Sequence, residues 1–302
     1  MGWLWANSAA VCEGKGIVLT TRRIRFFLNA LAAYGSVKPM IDAPRESPLG
    51  KLIRHRPEAI GAVIWPYQCA GWNAQTRLAR IRDHYAVVEK IGGAIDFPVD
   101  GKISLLDLGD IREGFHVIVD QPIWFMREGQ LAINLFLGDV RMYTLAFSLF
   151  HQKNAIAAFV GAIQGRDIEG ALEEYRELTK AAHGMRPRDL LIEVFRMFCA
   201  ELGVTQIFAV SDEYRHHKDQ RFFGQVSKKK FSTNYDEVWT DRGGVRVDPM
   251  FYQLDTGDTV RDLATIPSKK RGMYRRRFDM LRRIRAQMHD RYSSLATNQN
   301  LS

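Results

Sequence analysis

Cysteine is scarce. Cys12, Cys69 and Cys199 are odd in number and far apart in a 302-residue chain. That excludes a disulfide framework, and no CxxC or Cys/His spacing of the zinc type appears, so no metal is expected. No run of eighteen apolar residues exists, which excludes a spanning helix. The N-terminus, MGWLWANSAAVCEGKG, is interrupted by Glu13 and Lys15 and followed by Arg22, Arg23 and Arg25. A secretory signal carries its cations before its apolar run, so this order excludes one. Residues 1–18 read as a loose arm, and a reducing cytoplasm is the simplest setting. There is no internal repeat and no low-complexity segment.

What is present is globular: 46% apolar and 25% charged residues, enough for one large or two modest domains. The net charge of +9 is uneven. From Ile266 to Arg291 there are ten Lys and Arg against Asp279 and Asp290, a local charge of +8. A basic tail on a nearly neutral body points to an acidic partner: nucleic acid, anionic lipid or an acidic carrier protein.

The periodicity divides the chain. Residues 19–100 read as a helical lobe, with helices in 21–35 and 74–93 and a proline-punctuated linker over 42–57. The pattern then switches to period two in the runs 103–109, 114–120, 130–138, 140–150 and 155–165, an antiparallel meander. Helices return at 169–184 and 187–203, a strand at 205–212, then a polar stretch with a lysine run at 228–230. The end is a basic helix, 269–292, with an apolar stripe of Tyr274, Phe278, Leu281, Ile284 and Met288. The expectation is α+β: a helical lobe, a mainly antiparallel sheet with flanking helices, and a basic C-terminal helix.

Two stretches carry candidate chemistry. In HGMRPRDLL (183–191), Pro187 suits the first position of a helix. Unsatisfied N–H groups and partial positive charge sit at that mouth, beside Arg186 and Arg188, which suits a phosphate. The competing reading is that Asp189 compensates the helix dipole and the arginines are solvated. The next strand ends in Ser211-Asp212-Glu213-Tyr214-Arg215-His216-His217, where Glu213 or His216 can act as general base. A polar surface loop is the alternative. Gln164 and Arg166 end another strand and can bind an anion. Tyr235 and Trp239 are pocket or core aromatics. GFHVIVDQPIWFMREGQL offers His116, Asp120, Arg127 and Glu128. His116 and Asp120 share a strand face roughly 13 Å apart, too far for one metal.

Several long stretches carry a resemblance: YGSVKPMIDAPRESPLGKLIRHRPEAIG (34–61), VDQPIWFMREGQLAINLFLGDVRMYTLAFSL (119–149), VGAIQGRD (160–167), YRELTKAAHGMRPRDLLIEVF (175–195), AVSDEYRHH (209–217), NYDEVW (234–239) and IPSKKRGMYRRR (266–277). Together they resemble the VirK/YbjX family of bacterial proteins, over about residues 30 to 292. The resemblance implies a link to virulence and to antimicrobial-peptide resistance, without naming a reaction.

A second resemblance concerns the core. A meander, a helix with a basic N-terminal loop and a following strand are similar to GNAT-type N-acyltransferases, whose loop binds the pyrophosphate of acyl-CoA. Here Arg186-Pro187-Arg188 replaces the usual glycines, so contact would run through arginine forks. The resemblance implies a GNAT-like domain over 101–302 and transfer of an acyl group to an amine from acyl-CoA, acyl carrier protein or charged tRNA. No tightly bound cofactor is implied. Gly184, Arg186, Arg188, Asp189, Gln164 and Arg166 would hold the donor, Glu213 or His216 would take the amine proton, and Tyr235 would protonate the leaving thiolate. Lys269, Lys270, Arg275, Arg276 and Arg277 would recruit the polyanionic carrier. The rival expectation is a non-enzymatic regulator that binds RNA or an anionic surface.

Overall fold

The computed structural model describes residues 2–12, 14–166, 170–223, 233–257 and 262–297. The lysine run 228–230 lies outside them. Ten helices and eight strands form among the described residues, joined into a mixed, mostly antiparallel sheet.

The first five helices are α1 (Gly2–Val11), α2 (Gly16–Ala32), α3 (Tyr34–Ile41), α4 (Pro48–His55) and α5 (Ala74–Ile91). The stretch expected to be a loose arm is corrected by α1. Its Leu4 is fully buried and Ser8 accepts a hydrogen bond from Arg23 Nε at 2.7 Å. A mostly apolar, uncharged decamer with no continuous polar face is held by tertiary burial rather than by amphipathic pattern. Helix starts follow capping chemistry. Ser47 Oγ accepts from Gly50 N–H ahead of α4, and Asn73 accepts from Thr76 N–H ahead of α5. These helices share a hydrophobic cluster built from Leu4, Phe26, Val37, Ile60, Tyr67 and Leu78.

The meander is β1 (Lys102–Asp107), β2 (Phe115–Asp120), β3 (Leu131–Leu137), β4 (Val140–Gln152) and β5 (Ala155–Gly165). Then come α6 (Ala171–Ala181), α7 (Pro187–Glu201), β6 (Val204–Val210), α8 (Gln220–Phe223), α9 (Tyr235–Asp241), β7 (Val245–Arg246), β8 (Phe251–Leu254) and α10 (Ser268–Thr297). The strand order is β1-β2-β3-β4-β5-β6-β8-β7. Only β5–β6 is parallel, because α6 and α7 carry the chain back across the sheet.

That parallel pair parts early. Pairing ends at Val160↔Ala209, while β5 runs on to Gly165. Side chains take over the unpaired backbone. Tyr235 Oη both donates to Ile163 O and accepts from Ile163 N–H, each at 2.9 Å. Trp239 Nε1 donates to Val210 O at 2.8 Å. Gly161 lies so close to the backbone of Glu128 that a Cβ there would sit 2.0 Å from its carbonyl oxygen. The main core fills both sides of the sheet and includes nearly all of α7 together with Met280, Ile284 and Met288 of α10.

Candidate functional site

The mouth of α7 forms as its residues dictate. Arg186 is extended at the N-cap, Pro187 opens the first turn, and Asp189 lies in that turn. Arg186 Nε donates to Asp189 Oδ2 at 2.7 Å and Arg188 Nε to Asp189 Oδ1 at 3.2 Å. Arg186 Nη2 also reaches Asp241 at 3.4 Å. The Asp189 carboxylate is buried at the positive end of the helix, so the dipole and both guanidinium groups already have a protein anion. Of the two sequence readings, the Asp189 compensation is present: the pair is tied to it, and only Arg186 is half exposed.

The same place is nonetheless a pocket of about 470 Å³. It brings Gly184, Arg186 and Asp189 together with Arg242 of the α9 end and with Lys270 and Arg277 of α10. Two groups of residues singled out separately in the sequence thus share one cavity. Arg277 donates from Nη2 to His183 O at 2.9 Å, and Gly184 takes φ +76° so that the chain can turn beneath it. Behind the mouth, Glu193 and Arg196 are buried on α7 with a contact at 3.3 Å, and Arg242 lies 3.9 Å from Glu193. Sequence reasoning missed this buried ionic row because Asp189, Glu193 and Arg196 look like an ordinary polar helix face. Gln164 and Arg166 do not line the pocket. Arg166 is exposed at the end of β5, and its carbonyl accepts from Tyr175.

The end of β6 divides into separate jobs. Glu213 is exposed. Asp212 accepts from Lys218, from Tyr235 N–H at 3.1 Å and from Arg215 at 3.3 Å, which pins the start of α9. Tyr235 is buried, its hydroxyl is committed to β5, and burial pushes its pKa up to about 12. The proton-donor role expected of Tyr235 is corrected to a clasp between α9 and β5. Burial also pushes His216 down to about 3, aided by neighbouring His217 and Arg127. A neutral imidazole of that kind is a poor base near pH 7.

His216 instead faces a carboxyl that the sequence offered without distinction. Its Nε2 sits 3.5 Å from Glu128 Oε1. Glu128 is buried, and its Oε2 has no hydrogen-bond partner among the described residues. Burial pushes its pKa up to about 7, although nearby Arg127 pulls the other way. Both residues line a pocket of about 620 Å³ with Glu58, Trp65, Trp124 and Arg127. A buried carboxyl with one oxygen lacking a hydrogen-bond partner and a pKa raised toward neutrality, lining an aromatic-walled cavity, is suited to proton transfer. MREG reads as a plain turn, and only the fold carries Glu128 to His216, 88 positions away. Among the described residues no group of His, Cys, Asp and Glu could hold a metal ion.

On α10, Lys269, Lys270, Arg275 and Arg276 are exposed, whereas Arg277 is half-buried against His183. Among the described residues no helix is long and apolar enough to cross a membrane.

Comparison with known proteins follows the same span. A family model described as protein of unknown function DUF535 matches residues 18–290. The chain is similar to the uncharacterized protein YbjX of Escherichia coli (strain K12), at 29% identity over 88% of this chain and 82% of that one. It is also similar to an uncharacterized protein of Haemophilus influenzae, at 32% identity over 58% of this chain and 57% of that one. A third similar protein carries the name membrane protein LapB, from Mannheimia haemolytica, at 24% identity over 71% of this chain and 93% of that one. No solved structure matches significantly.

Proposed function

We propose, from the premise that the chain belongs to the DUF535 family, that this protein is an enzyme that moves an acyl group from an anionic thioester carrier to an amine. The observation that carries the reading is Glu128, a buried carboxyl poised near neutrality that lines a cavity and has one oxygen without a hydrogen-bond partner. In the proposed reaction the Glu128 carboxylate takes the amine proton as the N–C bond forms. The C–S bond breaks, and the proton passes from Glu128 to the leaving thiolate. Neutral His216 positions the carboxyl.

The donor side rests on the α7–α10 pocket, where Arg186, Arg242, Lys270 and Arg277 outnumber Asp189, Glu193 and Asp241. The surplus cation suits the phosphates of CoA or of an acyl carrier protein. α9 lies between the two cavities: its first residue, Tyr235, is held at Asp212 and feels the Glu128 charge, and its last residue, Asp241, lines the donor pocket. Seven helical residues span about 10 Å. The single parallel strand pair that parts beyond Val160 supports the GNAT-like reading of the core. Three buried cysteines with free thiols support a reducing, cytoplasmic setting.

The test is mass spectrometry of purified protein with acyl-CoA and acyl carrier protein donors and a panel of amines. Acyl-amine product is expected from the wild type, with turnover reduced ~100-fold or more in Glu128→Gln, the scale of losing a general base. Undiminished turnover in Glu128→Gln would refute the role of Glu128. A non-enzymatic reading is favoured by one observation, the exposed Lys269, Lys270, Arg275 and Arg276 on α10. It predicts RNA binding that weakens steeply with salt.

A further inference from the structure

Helix α2 has two apolar faces. Its inner face is used: Phe26 and Ala30 are buried, and Phe27 meets Trp5 of α1 edge to face. A helix turns by about 100° per residue. Ile17, Ile24 and Leu28 therefore fall within an arc of roughly 40°, almost diametrically opposite Phe26 and Ala30. They are 85%, 47% and 59% exposed. Scattered exposed apolar residues need no account, but a stripe along one helix does. From Ile17 to Leu28 this one runs about 16 Å.

Within α2 the charged residues are all basic, while Lys38 further on is paired with Asp42. Residues 14–41 contain Lys15, Arg22, Arg23, Arg25 and Lys38 and no Asp or Glu. Arg23 is turned inward to Ser8 and the Trp5 carbonyl. Arg25 lies about 80° round the helix from Ile17, beside the stripe, and Arg22 about 140° round; both line a cavity with Trp65 and Phe222.

We infer that α2 docks this protein onto an anionic lipid surface, with Ile17, Ile24 and Leu28 entering the acyl boundary, Arg25 meeting the headgroups, and the net positive charge of the helix adding longer-range attraction. An exposed apolar stripe on a helix whose charged residues are all basic suits an interfacial helix. Charge decides against a second copy of the chain. A twofold interface sets the same face against itself and would bring these cations together. A nucleic acid would engage the cations and leave the apolar stripe in water. The inference is independent of the acyl-transfer reading.

The experiment is co-sedimentation of the full chain with vesicles of phosphatidylglycerol and phosphatidylcholine, and with phosphatidylcholine alone. The expected result is binding that needs the anionic lipid, weakens with salt, and falls at least tenfold in an Ile24→Glu/Leu28→Glu variant. Circular dichroism checks that the variant stays folded, and an Ile24→Ser/Leu28→Ser variant provides a milder version of the same change. Three results would overturn it. One is the absence of wild-type binding to anionic vesicles. Another is binding retained in both α2 variants but lost in Arg275→Ala/Arg276→Ala, which would assign the contact to α10. The third is a wild-type dimer that the α2 changes dissociate without any effect on vesicle binding.

Discussion

Glu128 is costly to the fold, and that cost can be measured. Its pKa is about 7 in the native state against an ordinary 4.5. Between those values the native protein holds a proton that the unfolded chain releases, so stability falls as pH rises through this window. The gap corresponds to about 3 kcal/mol, fully expressed above pH 7 and absent below pH 4.5. Replacing Glu128 by Gln keeps the shape and removes the charge. The variant should match the wild type near pH 4.5 and exceed it by about 3 kcal/mol at pH 8. Urea unfolding followed by tryptophan fluorescence at both pH values checks this. With a slope of about 3 kcal/mol per M, the midpoint at pH 8 should rise by about 1 M. The same variant should lose turnover, and wild-type turnover should climb as pH rises through about 7 and the base ionises. Parallel stability–pH curves for the two proteins, or a variant less stable at pH 8, would refute the claim that an ionised Glu128 is uncompensated.

Three other outcomes follow from the packing. Tyr235→Phe should destabilise the fold by roughly 1–3 kcal/mol in urea unfolding, because Ile163 N–H and C=O lose their partner in a buried place. Turnover at saturating substrate should persist in that variant, since the hydroxyl is occupied by the backbone. Gly161→Ala should be among the most damaging single changes, about 3 kcal/mol or more, because backbone rather than a movable side chain stands 2.0 Å from the new Cβ. His84 and His216 are pushed down to about 3 by burial. The unfolded chain therefore binds protons that the native state refuses, so their stabilising contribution is present above pH 6.5 and is lost as pH falls toward 3. Their ring-proton NMR shifts should stay flat from pH 8 to 5, and a titration midpoint near 6.5 would show that they are solvated.

Much of the architecture was legible because local pattern and tertiary outcome agree. The five period-two runs of the meander match β1 to β5 within about two residues. Pro187 and Gly203 frame α7, with Gly203 at φ +71°. Short or uniformly apolar segments were the failures. α1 has no polar face to mark it. α9 is two turns long, and the sequence singles out Tyr235 and Trp239 as pocket or core aromatics without assigning the helix that Asn234 caps. The hairpin β7–β8 pairs over only two residues of β7.

The candidate site was legible only in part. Residue type placed His216 and the α7 mouth under suspicion, and the mouth does open on a pocket. It also suggested Glu213, which is exposed, and Tyr235, whose hydroxyl is occupied. Nothing around Glu128 distinguishes it, because its protonation behaviour comes from burial and from neighbours distant in the chain.

By itself the sequence determined the order from the meander through α6, α7 and β6 to the C-terminal helix, the α+β class, the family span and the concentration of positive charge at the end. Each of these depends on propensity, periodicity or composition, which are properties of neighbouring residues. The tertiary structure alone decided which carboxyl meets His216, that Asp189 neutralises the α7 arginines, and that α10 closes the pocket over them. Those outcomes depend on desolvation and on Coulomb interactions between segments far apart in the chain, and neither exists until the core has formed.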